Sequence, residues 1–198
     1  MRASLGGAAL ALALLAQPVQ ATVDFKGLSR TTEKIVRATI ALDDEPCTAP
    51  DARVRRLYRR ADREILQALE VYGYYAPTIT KTLGSEKDCW RASFRIDRGP
   101  RVRLRQVALS VSGAGQGDAA LTRLLAVDDL KAGEGLNQRA YDQFKANLAT
   151  LAQRRGYFDG RFATSRVDVY PGELAADVTV EYASGERYRF GPVTLDQS

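Results

Sequence analysis

The chain has 198 residues, of which 45% are hydrophobic and 27% charged, and its formal net charge is +5. This is an ordinary globular balance, and the length permits one or two domains. The sequence contains no histidine, which excludes Ser-His-Asp and Cys-His catalysis and removes the commonest transition-metal ligand.

The N-terminus has the pattern of a secretory signal peptide. Arg2 is basic, Leu5 to Ala16 is apolar, and Val19-Gln20-Ala21 is a small-x-small cleavage motif. The apolar run is shorter than the roughly 20 residues that span a bilayer. Residues 1–21 are therefore predicted to be removed and the remainder exported. An uncleaved anchor and a buried helix are the alternatives.

The first part of the exported chain is predicted to form a strand and two helices. Val23 to Lys26 is a short apolar strand pattern, and Ser29 can cap the helix that follows. A long helix is predicted from Asp51, a good capping residue, to about Tyr72, because apolar residues recur there at helical spacing. Gly73 can adopt the left-handed conformation with which helices end.

Two strands are predicted after Gly73. The segment Tyr75 to Leu83 contains Pro77, which has no N–H for a ladder, so this strand is expected at a sheet edge. Trp90 to Ile96 alternates apolar with polar residues, which predicts a half-buried strand. Gly99-Pro100 ends this first unit.

The two cysteines fall within this unit. Export would place Cys47 and Cys89 in a compartment where they can pair. A bond between them would close a loop of about 40 residues and contribute roughly 3–4 kcal/mol in the chain-entropy model. Two inert thiols are the alternative.

The same order of elements is predicted again in the second half. The strand Val102 to Val111 changes its apolar phase near Arg105-Gln106, which predicts a β-bulge. Asp118 can cap a short helix, Asn137 starts a long one, and Gly156 ends it. Two strands, at about 161–169 and 174–182, then complete the second unit.

The recurrence itself is the most informative feature of the sequence. Gly73-Tyr74-Tyr75 and Gly156-Tyr157-Phe158 each close a long helix and open a strand, so the chain is predicted to be an array of similar modules. Arg187 to Leu195 is similar to the first strand of a third module. Because a lone strand cannot bury its own face, the sequence is expected to be part of a longer array.

Three other patterns give no chemical site. The glycines of Gly113 to Asp118 lack the third position of a dinucleotide fingerprint, so a flexible connection is expected rather than a cofactor loop. The arginines of the stripe from Arg53 to Arg63 have acidic neighbours, which favours a solvated helix face over a nucleic-acid-binding face. Binding of this stripe to anionic lipid headgroups is the alternative. The carboxylates are scattered, so no catalytic residue, metal ligand or cofactor-binding residue is predicted.

Exposed edge strands are the strongest physical basis for a binding function. A small sheet with helices on one face leaves a row of unpaired backbone groups, which can bind an extended segment of another protein by strand addition. The hypothetical contact strands are Tyr75 to Leu83 and Gly160 to Val169. Five of their side chains mark the contact: Thr78, Thr80, Thr82, Thr164 and Arg166. An edge that Pro77 or a neighbouring domain merely protects is the alternative.

Four motifs resemble a known family. They are Gly73-Tyr74-Tyr75-Ala76-Pro77-Thr78-Ile79, Leu136-Asn137-Gln138, Arg155-Gly156-Tyr157-Phe158-Asp159 and Ser184-Gly185-Glu186-Arg187-Tyr188-Arg189-Phe190-Gly191. With the repeated order strand–helix–helix–strand–strand, they are similar to the polypeptide-transport-associated (POTRA) domains of the Omp85 superfamily. In detail they resemble the TamA family of outer-membrane assembly factors.

The resemblance implies an α+β fold of tandem POTRA modules, each a small three-stranded mixed sheet packed on two helices. It divides the chain into a signal peptide at 1–21, a first module at 22–99, a second at 100–184 and the first strand of a third at 185–198. It also implies a C-terminal outer-membrane barrel, which has no counterpart in these 198 residues.

The function implied by the resemblance is that of a periplasmic docking scaffold rather than an enzyme. Its partners would be a TamB-like protein anchored in the inner membrane and unfolded outer-membrane or autotransporter precursors. Nucleic acid is not expected as a partner, and the membrane would be reached through the barrel. The alternatives are another Omp85-type or two-partner secretion transporter, a POTRA-containing division protein, for which Leu5 to Ala16 is too short an anchor, and a secreted carboxylate-dependent hydrolase with converging acids.

Overall fold

The structure, a computed structural model, describes residues 21–86, 89–126 and 130–192. These residues form two α+β units in succession, called module 1 (Thr22 to Asp97) and module 2 (Arg103 to Ala183), each with one three-stranded sheet and two helices. The predicted fold class is confirmed. The predicted signal peptide, apart from Ala21, lies outside the described residues. Within the described ranges, no helix has the length and apolarity needed to cross a membrane.

Module 1 is built around the strand that comes last in its sequence. Its elements are β1 (Thr22–Lys26), α1 (Arg30–Arg37), α2 (Asp51–Glu70), β2 (Thr78–Glu86) and β3 (Cys89–Asp97). The strand order is β1-β3-β2, with β1 parallel and β2 antiparallel to β3. Strand β2 is therefore an edge strand, as Pro77 predicted.

Module 2 repeats this plan. Its elements are β4 (Arg103–Ser112), α3 (Ala119–Leu125), α4 (Gln138–Arg154), β5 (Arg161–Tyr170) and β6 (Ala175–Ala183). The order is β4-β6-β5, with β4 parallel and β5 antiparallel to β6. The last strand is again central, and β5 is an edge.

Each sheet buries one face under its own helices. In module 1, alternate residues of β3 are buried in one cluster with α2: Ala92, Phe94, Ile96, Ile65 and Leu69. In module 2, alternate residues of β6 are buried with α4: Val178, Val180, Tyr182, Phe144 and Leu148. The opposite sheet faces carry the polar residues, as the period of two requires.

Several local predictions are confirmed. The side chains of Ser29, Asp118 and Asn137 accept hydrogen bonds from backbone N–H groups in the first turns of α1, α3 and α4. The β-bulge in β4 lies between Leu104 and Gln106, where the apolar phase changes.

One cap and several boundaries differ from the prediction. Helix α2 begins at Asp51 as predicted, but Pro50 rather than Asp51 occupies the cap position, and the helix ends at Glu70 instead of Tyr72. Strand β2 begins at Thr78 instead of Tyr75, because Tyr75 packs against the core of module 2. Strand β6 begins at Ala175, because Leu174 ends a 3₁₀ turn in a left-handed conformation with φ 53°.

The predicted strand from Arg187 to Leu195 is only partly within the described residues. Residues 184–192 form no strand, and residues 193–195 lie outside the described ranges. The first strand of a third module therefore stays a prediction.

Candidate functional site

The outer edge of β2 has no strand partner in the described part of the chain. Thr78, Thr80 and Thr82 lie opposite Asp97, Arg95 and Ser93 of β3, and all three threonines are exposed. Because the buried residues of β3 face the helices, these threonines lie on the polar face of the sheet. Because Glu86 pairs with Cys89 across only two residues, the backbone groups that face outward at this edge belong to the alternate residues Ile79, Lys81 and Leu83.

A groove of about 790 Å³ runs along the helix-facing side of this edge, between α2 and β2. Apolar side chains lining it come from both elements and from β3: Val54, Tyr58, Leu83 and Trp90. Arg55, Arg59 and Lys81 add positive charge. An open row of backbone groups beside a partly apolar groove is the arrangement that strand addition requires.

Lys81 holds the middle of this groove in place. Its ammonium donates to the Tyr58 carbonyl at 2.8 Å, pairs with Asp62 at 2.7 Å and lies 4.5 Å from the centroid of the Tyr58 ring. Burial raises the pKa of the Tyr58 hydroxyl, and the nearby Asp62 carboxylate adds to the shift. The Tyr58 ring is thus fixed as a wall of the groove.

A disulfide closes one end of the groove. Cys47 is bonded to Cys89, with their Cα atoms 4.8 Å apart, so the predicted pair is present. The bond ties the α1–α2 loop to the start of β3. Beside it, the indole N–H of Trp90 donates to the Pro46 carbonyl at 2.9 Å. A covalent bond and a hydrogen bond therefore hold the loop against the start of β3.

The edge of β5 is less regular. Thr164 is half-buried and Arg166 is exposed in an ion pair with Asp168 at 3.0 Å. A bulge between Phe162 and Thr164 interrupts the register with β6. Bulges and charges are common ways of blunting a sheet edge. The five residues predicted as a contact therefore lie on two separate edges, which the structure does not bring together, and β2 is the more open one.

The groove residues were not predicted from the sequence. Tyr58 belongs to the helical stretch of α2, while Leu83 and Trp90 were assigned only to strands. Two patterns in the sequence pointed towards this site: the apolar stripe of α2 and the predicted edge strand. The groove itself could not be located, because the sequence does not give the distance between α2 and β2.

The buried carboxylates do not form a catalytic pair. Glu64 accepts from the backbone N–H of Ala41 and pairs with Arg60, whereas Asp118 pairs with Arg155 in the other module. Each carboxylate is paired with an arginine of its own module. Within the described ranges, no cluster of acidic, cysteine or histidine residues could hold a metal ion. A hydrolase with converging acids has no support in this arrangement.

The basic stripe and the glycine loop have structural surroundings. Arg53 pairs with Glu45, and Arg60 pairs with Glu64, so the stripe carries acidic partners as its sequence neighbours predicted. The loop forms a short 3₁₀ turn at Gly113–Gly115, and the backbone N–H of Gly115 donates to the Ser184 hydroxyl at 2.8 Å.

Comparison with known proteins gives one family match and several similar folds. Residues 22–98 match the family model described as POTRA domain, TamA domain 1. The chain is similar to BamA POTRA3-5 of Haemophilus influenzae, with 15% identity and a TM-score of 0.45, over 86% of this chain and 67% of that one. It is also similar to POTRA1-3 of Omp85 from Anabaena, with 18% identity and a TM-score of 0.37, over 84% and 60%. CdiB from Escherichia coli matches at 14% identity and a TM-score of 0.35, over 88% of this chain and 29% of that one.

Proposed function

We propose, from the match of residues 22–98 to a TamA-type POTRA domain, that this chain is the periplasmic docking region of an outer-membrane protein assembly factor. Its task would be to hold partner or client chains by strand addition, without making or breaking a covalent bond. The observation that carries the proposal is the open edge of β2 beside the groove under Tyr58 and Leu83.

Binding at β2 rests mainly on the backbone. Alternate residues of an edge strand direct their N–H and C=O groups outward, and an extended segment aligned with them completes a fourth strand. Side chains on one face of that segment would enter the groove, and those on the other would lie beside Thr78, Thr80 and Thr82. Because backbone groups supply most of the contacts, many different sequences can bind.

The partners that fit this site are unfolded strands with one apolar face. Tyr58, Leu83 and Trp90 provide apolar contact for alternate side chains of the bound segment. Unfolded outer-membrane and autotransporter precursors have this alternation, since strands of a membrane barrel are apolar on one face. A β-rich TamB-like protein would use the same backbone contacts.

The proposal also covers the rest of the chain. Residues 1–21 would direct export, modules at 22–99 and 100–184 would act in the periplasm, and residues 185–198 would begin a third module. The edge of β5, with Thr164 and Arg166, would be a second and weaker contact because its bulge interrupts a continuous ladder.

Replacing Leu83 with proline tests the docking edge. Because Glu86 pairs with Cys89 across only two residues, the alternation of the ladder directs the N–H of Thr80 to β3 and that of Leu83 outward. Proline at Leu83 removes this outward donor and adds a ring at the edge, so we expect the affinity for a labelled synthetic barrel-strand peptide to fall by about tenfold, or ~1.4 kcal/mol. Fluorescence titration of purified residues 22–198 measures it. Leu83→Val is the matched control, because it keeps the backbone N–H and an apolar side chain and should bind as the original chain does.

Circular dichroism establishes that the proline variant is folded, as expected for an edge position whose N–H faces away from β3. Unchanged affinity in a folded Leu83→Pro chain would disprove binding at the β2 edge. Equal losses in Leu83→Pro and Leu83→Val would indicate that the side chain, and not the backbone, makes the contact.

A further inference from the structure

The segment that leads from α2 into β2, residues 71–77, is hydrogen-bonded to the start of module 2. The N–H of Val102, which precedes β4, donates to the Gly73 carbonyl at 2.8 Å. The N–H of Gln138, the first residue of α4, donates to the Val71 carbonyl at 2.8 Å. The chain therefore leaves α2 and turns towards β2 in direct contact with the N-terminal end of α4.

Arg101 adds side-chain hydrogen bonds to this contact. Its Nε donates to the Tyr72 carbonyl of module 1 at 2.8 Å, and its Nη2 donates to two carbonyls of module 2, Leu136 at 3.0 Å and Gly135 at 3.2 Å. A side chain at Gly135 would overlap the guanidinium, so the glycine leaves the space that Arg101 occupies. Because a planar guanidinium donates in a fixed fork, these bonds set the position of Tyr72 relative to the loop that precedes α4.

The two tyrosines that follow are held by the same contact. Tyr75 packs against the core of module 2, and its hydroxyl accepts from Gln138 Nε2 at 3.2 Å. The Tyr74 ring lies 5.8 Å from the Arg101 guanidinium and 5.0 Å from that of Arg98. Arg98 Nη1 also donates to the Tyr74 hydroxyl at 3.2 Å. Both aromatic side chains of the segment are therefore fixed before β2 begins.

The two ends of β2 are held by different modules. At its far end, Glu86 pairs with Cys89 of β3, and Cys89 is bonded to Cys47, so module 1 holds that end itself. At its near end, β2 begins at Thr78, three residues after Tyr75. Because an extended chain spans at most ~3.6 Å per residue, the contact of Tyr75 with module 2 lies within about 11 Å of the docking edge.

We infer that module 2 positions the docking strand of module 1, and that Arg101 is the positioning residue. The guanidinium fixes the segment 71–77 through Tyr72, and that segment fixes where β2 begins. An edge that is already ordered loses less conformational freedom when a partner strand adds to it, so the partner binds more tightly. This inference rests on the docking function proposed for the β2 edge, whereas the positioning itself belongs to the unbound chain and is measured without a partner.

Hydrogen exchange along β2 tests the positioning in purified residues 22–198. The N–H groups of Thr78, Thr80, Gly84 and Glu86 are all directed to β3, because these residues share the phase of the Glu86 pair with β3. In Arg101→Ala, we expect exchange at Thr78 and Thr80 to become about tenfold faster, because the end of the strand nearest module 2 frays. Exchange at Gly84 and Glu86 should not change. A general loss of stability would instead accelerate all four.

Peptide titration tests the consequence for docking. Arg101→Ala should bind the labelled barrel-strand peptide about fivefold more weakly, while the urea midpoint of module 1, monitored by Trp90 fluorescence, stays the same. Arg101→Lys keeps the charge but lacks the planar fork, so it should recover only part of the affinity. Arg103→Ala is the matched control, because the Arg103 guanidinium donates to the Gly133 carbonyl within module 2 at 2.8 Å. Its exchange rates and its affinity should equal those of the original chain.

Several outcomes would overturn the inference. They are unchanged exchange at Thr78 and Thr80 in a folded Arg101→Ala chain, uniform acceleration along β2, and unchanged peptide affinity despite faster exchange at Thr78. If the original chain binds no peptide, the docking function fails, and the exchange pattern still decides whether module 2 positions β2. If Arg101→Ala does not fold, Gly135→Ala serves, since its added methyl group displaces the guanidinium and should give the same pattern.

Discussion

Replacing Asp118 with alanine is expected to lower the free energy of unfolding of module 2 by about 3 kcal/mol. The Asp118 side chain is 2% exposed and pairs with Arg155 at 2.9 Å. It also accepts from the backbone N–H of Ala120 at 2.9 Å and lies 3.3 Å from the Tyr157 hydroxyl. Removing it leaves Arg155 without its partner and the first turn of α3 without its cap.

An Asp118→Asn variant separates the charge from the cap. Asparagine caps helices about as well as aspartate, so only the ion pair is lost. Because Arg155 is 39% exposed and can be rehydrated, we expect a smaller loss of about 1.5 kcal/mol. Urea unfolding, monitored by hydrogen exchange of each module's amides, measures the loss in free energy of unfolding for both variants.

The pH dependence of the effect follows from the pKa of Asp118. Burial opposes ionisation of this carboxyl, but the hydrogen bonds from Arg155 and from the backbone N–H groups of Ala120 and Leu121 outweigh it, and the pKa is lowered. A lowered pKa contributes stability above the unfolded value, near 3.9, which is lost as pH falls towards the folded pKa. The difference in free energy of unfolding between the original chain and Asp118→Asn should therefore have its full size at pH 7 and decrease below about pH 4.

Asp51→Ala provides the control for this series. Asp51 pairs with Arg55 at 2.7 Å, but both side chains are well exposed, so the loss should stay below about 0.5 kcal/mol. A comparable loss in Asp51→Ala and Asp118→Ala would refute the role of burial. So would a difference between Asp118→Asn and the original chain that does not change with pH.

Removing the disulfide is expected to destabilise module 1 by about 3–4 kcal/mol and to leave module 2 unchanged. The bonded cysteines are 42 residues apart in sequence, and the loop they close includes all of α2. In a double Cys47→Ala, Cys89→Ala variant, the unfolded chain gains the freedom that the bond had removed. The end of the docking groove is also released from β3.

Trp90 makes the measurement specific to one module. It is the only tryptophan of the chain, and it follows Cys89 directly. The midpoint of urea unfolding, monitored by Trp90 fluorescence, should therefore shift to a lower urea concentration in the double variant. Protection of β6 amides in hydrogen exchange should not change. An unshifted fluorescence transition, or an equal loss in both modules, would show that the bond does not stabilise module 1 selectively.

Much of the fold could be predicted because local rules act within single elements. The caps at Ser29, Asp118 and Asn137, the alternation on β3 and the bulge near Gln106 all depend on neighbours in sequence. These features are present where the sequence predicted them. The repeat of glycine and aromatic residues also predicted two modules on one plan.

The remaining features depend on contacts between distant residues. Strand β2 starts late because Tyr75 contacts the next module, and Leu174 leaves its alternating pattern for a left-handed turn. The groove beside β2 exists only once α2 and β3 are packed, so Tyr58 and Trp90 could not be assigned to a site from their own positions. The contact that Arg101 makes between the modules could likewise not be predicted, because its two acceptors, the carbonyls of Tyr72 and Leu136, lie in different modules.

The central position of the last strand in each sheet has a consequence for the order of folding. Strands β1 and β2 share no pairing and both pair with β3, so neither has a complete partner until residues 89–97 are available. In a chain exported from its N-terminus, as proposed for this one, the apolar face of α2 therefore reaches the far side of the membrane before the strand that completes its sheet. Exposed apolar surface of this kind favours aggregation, so each module needs protection until its final strand has crossed.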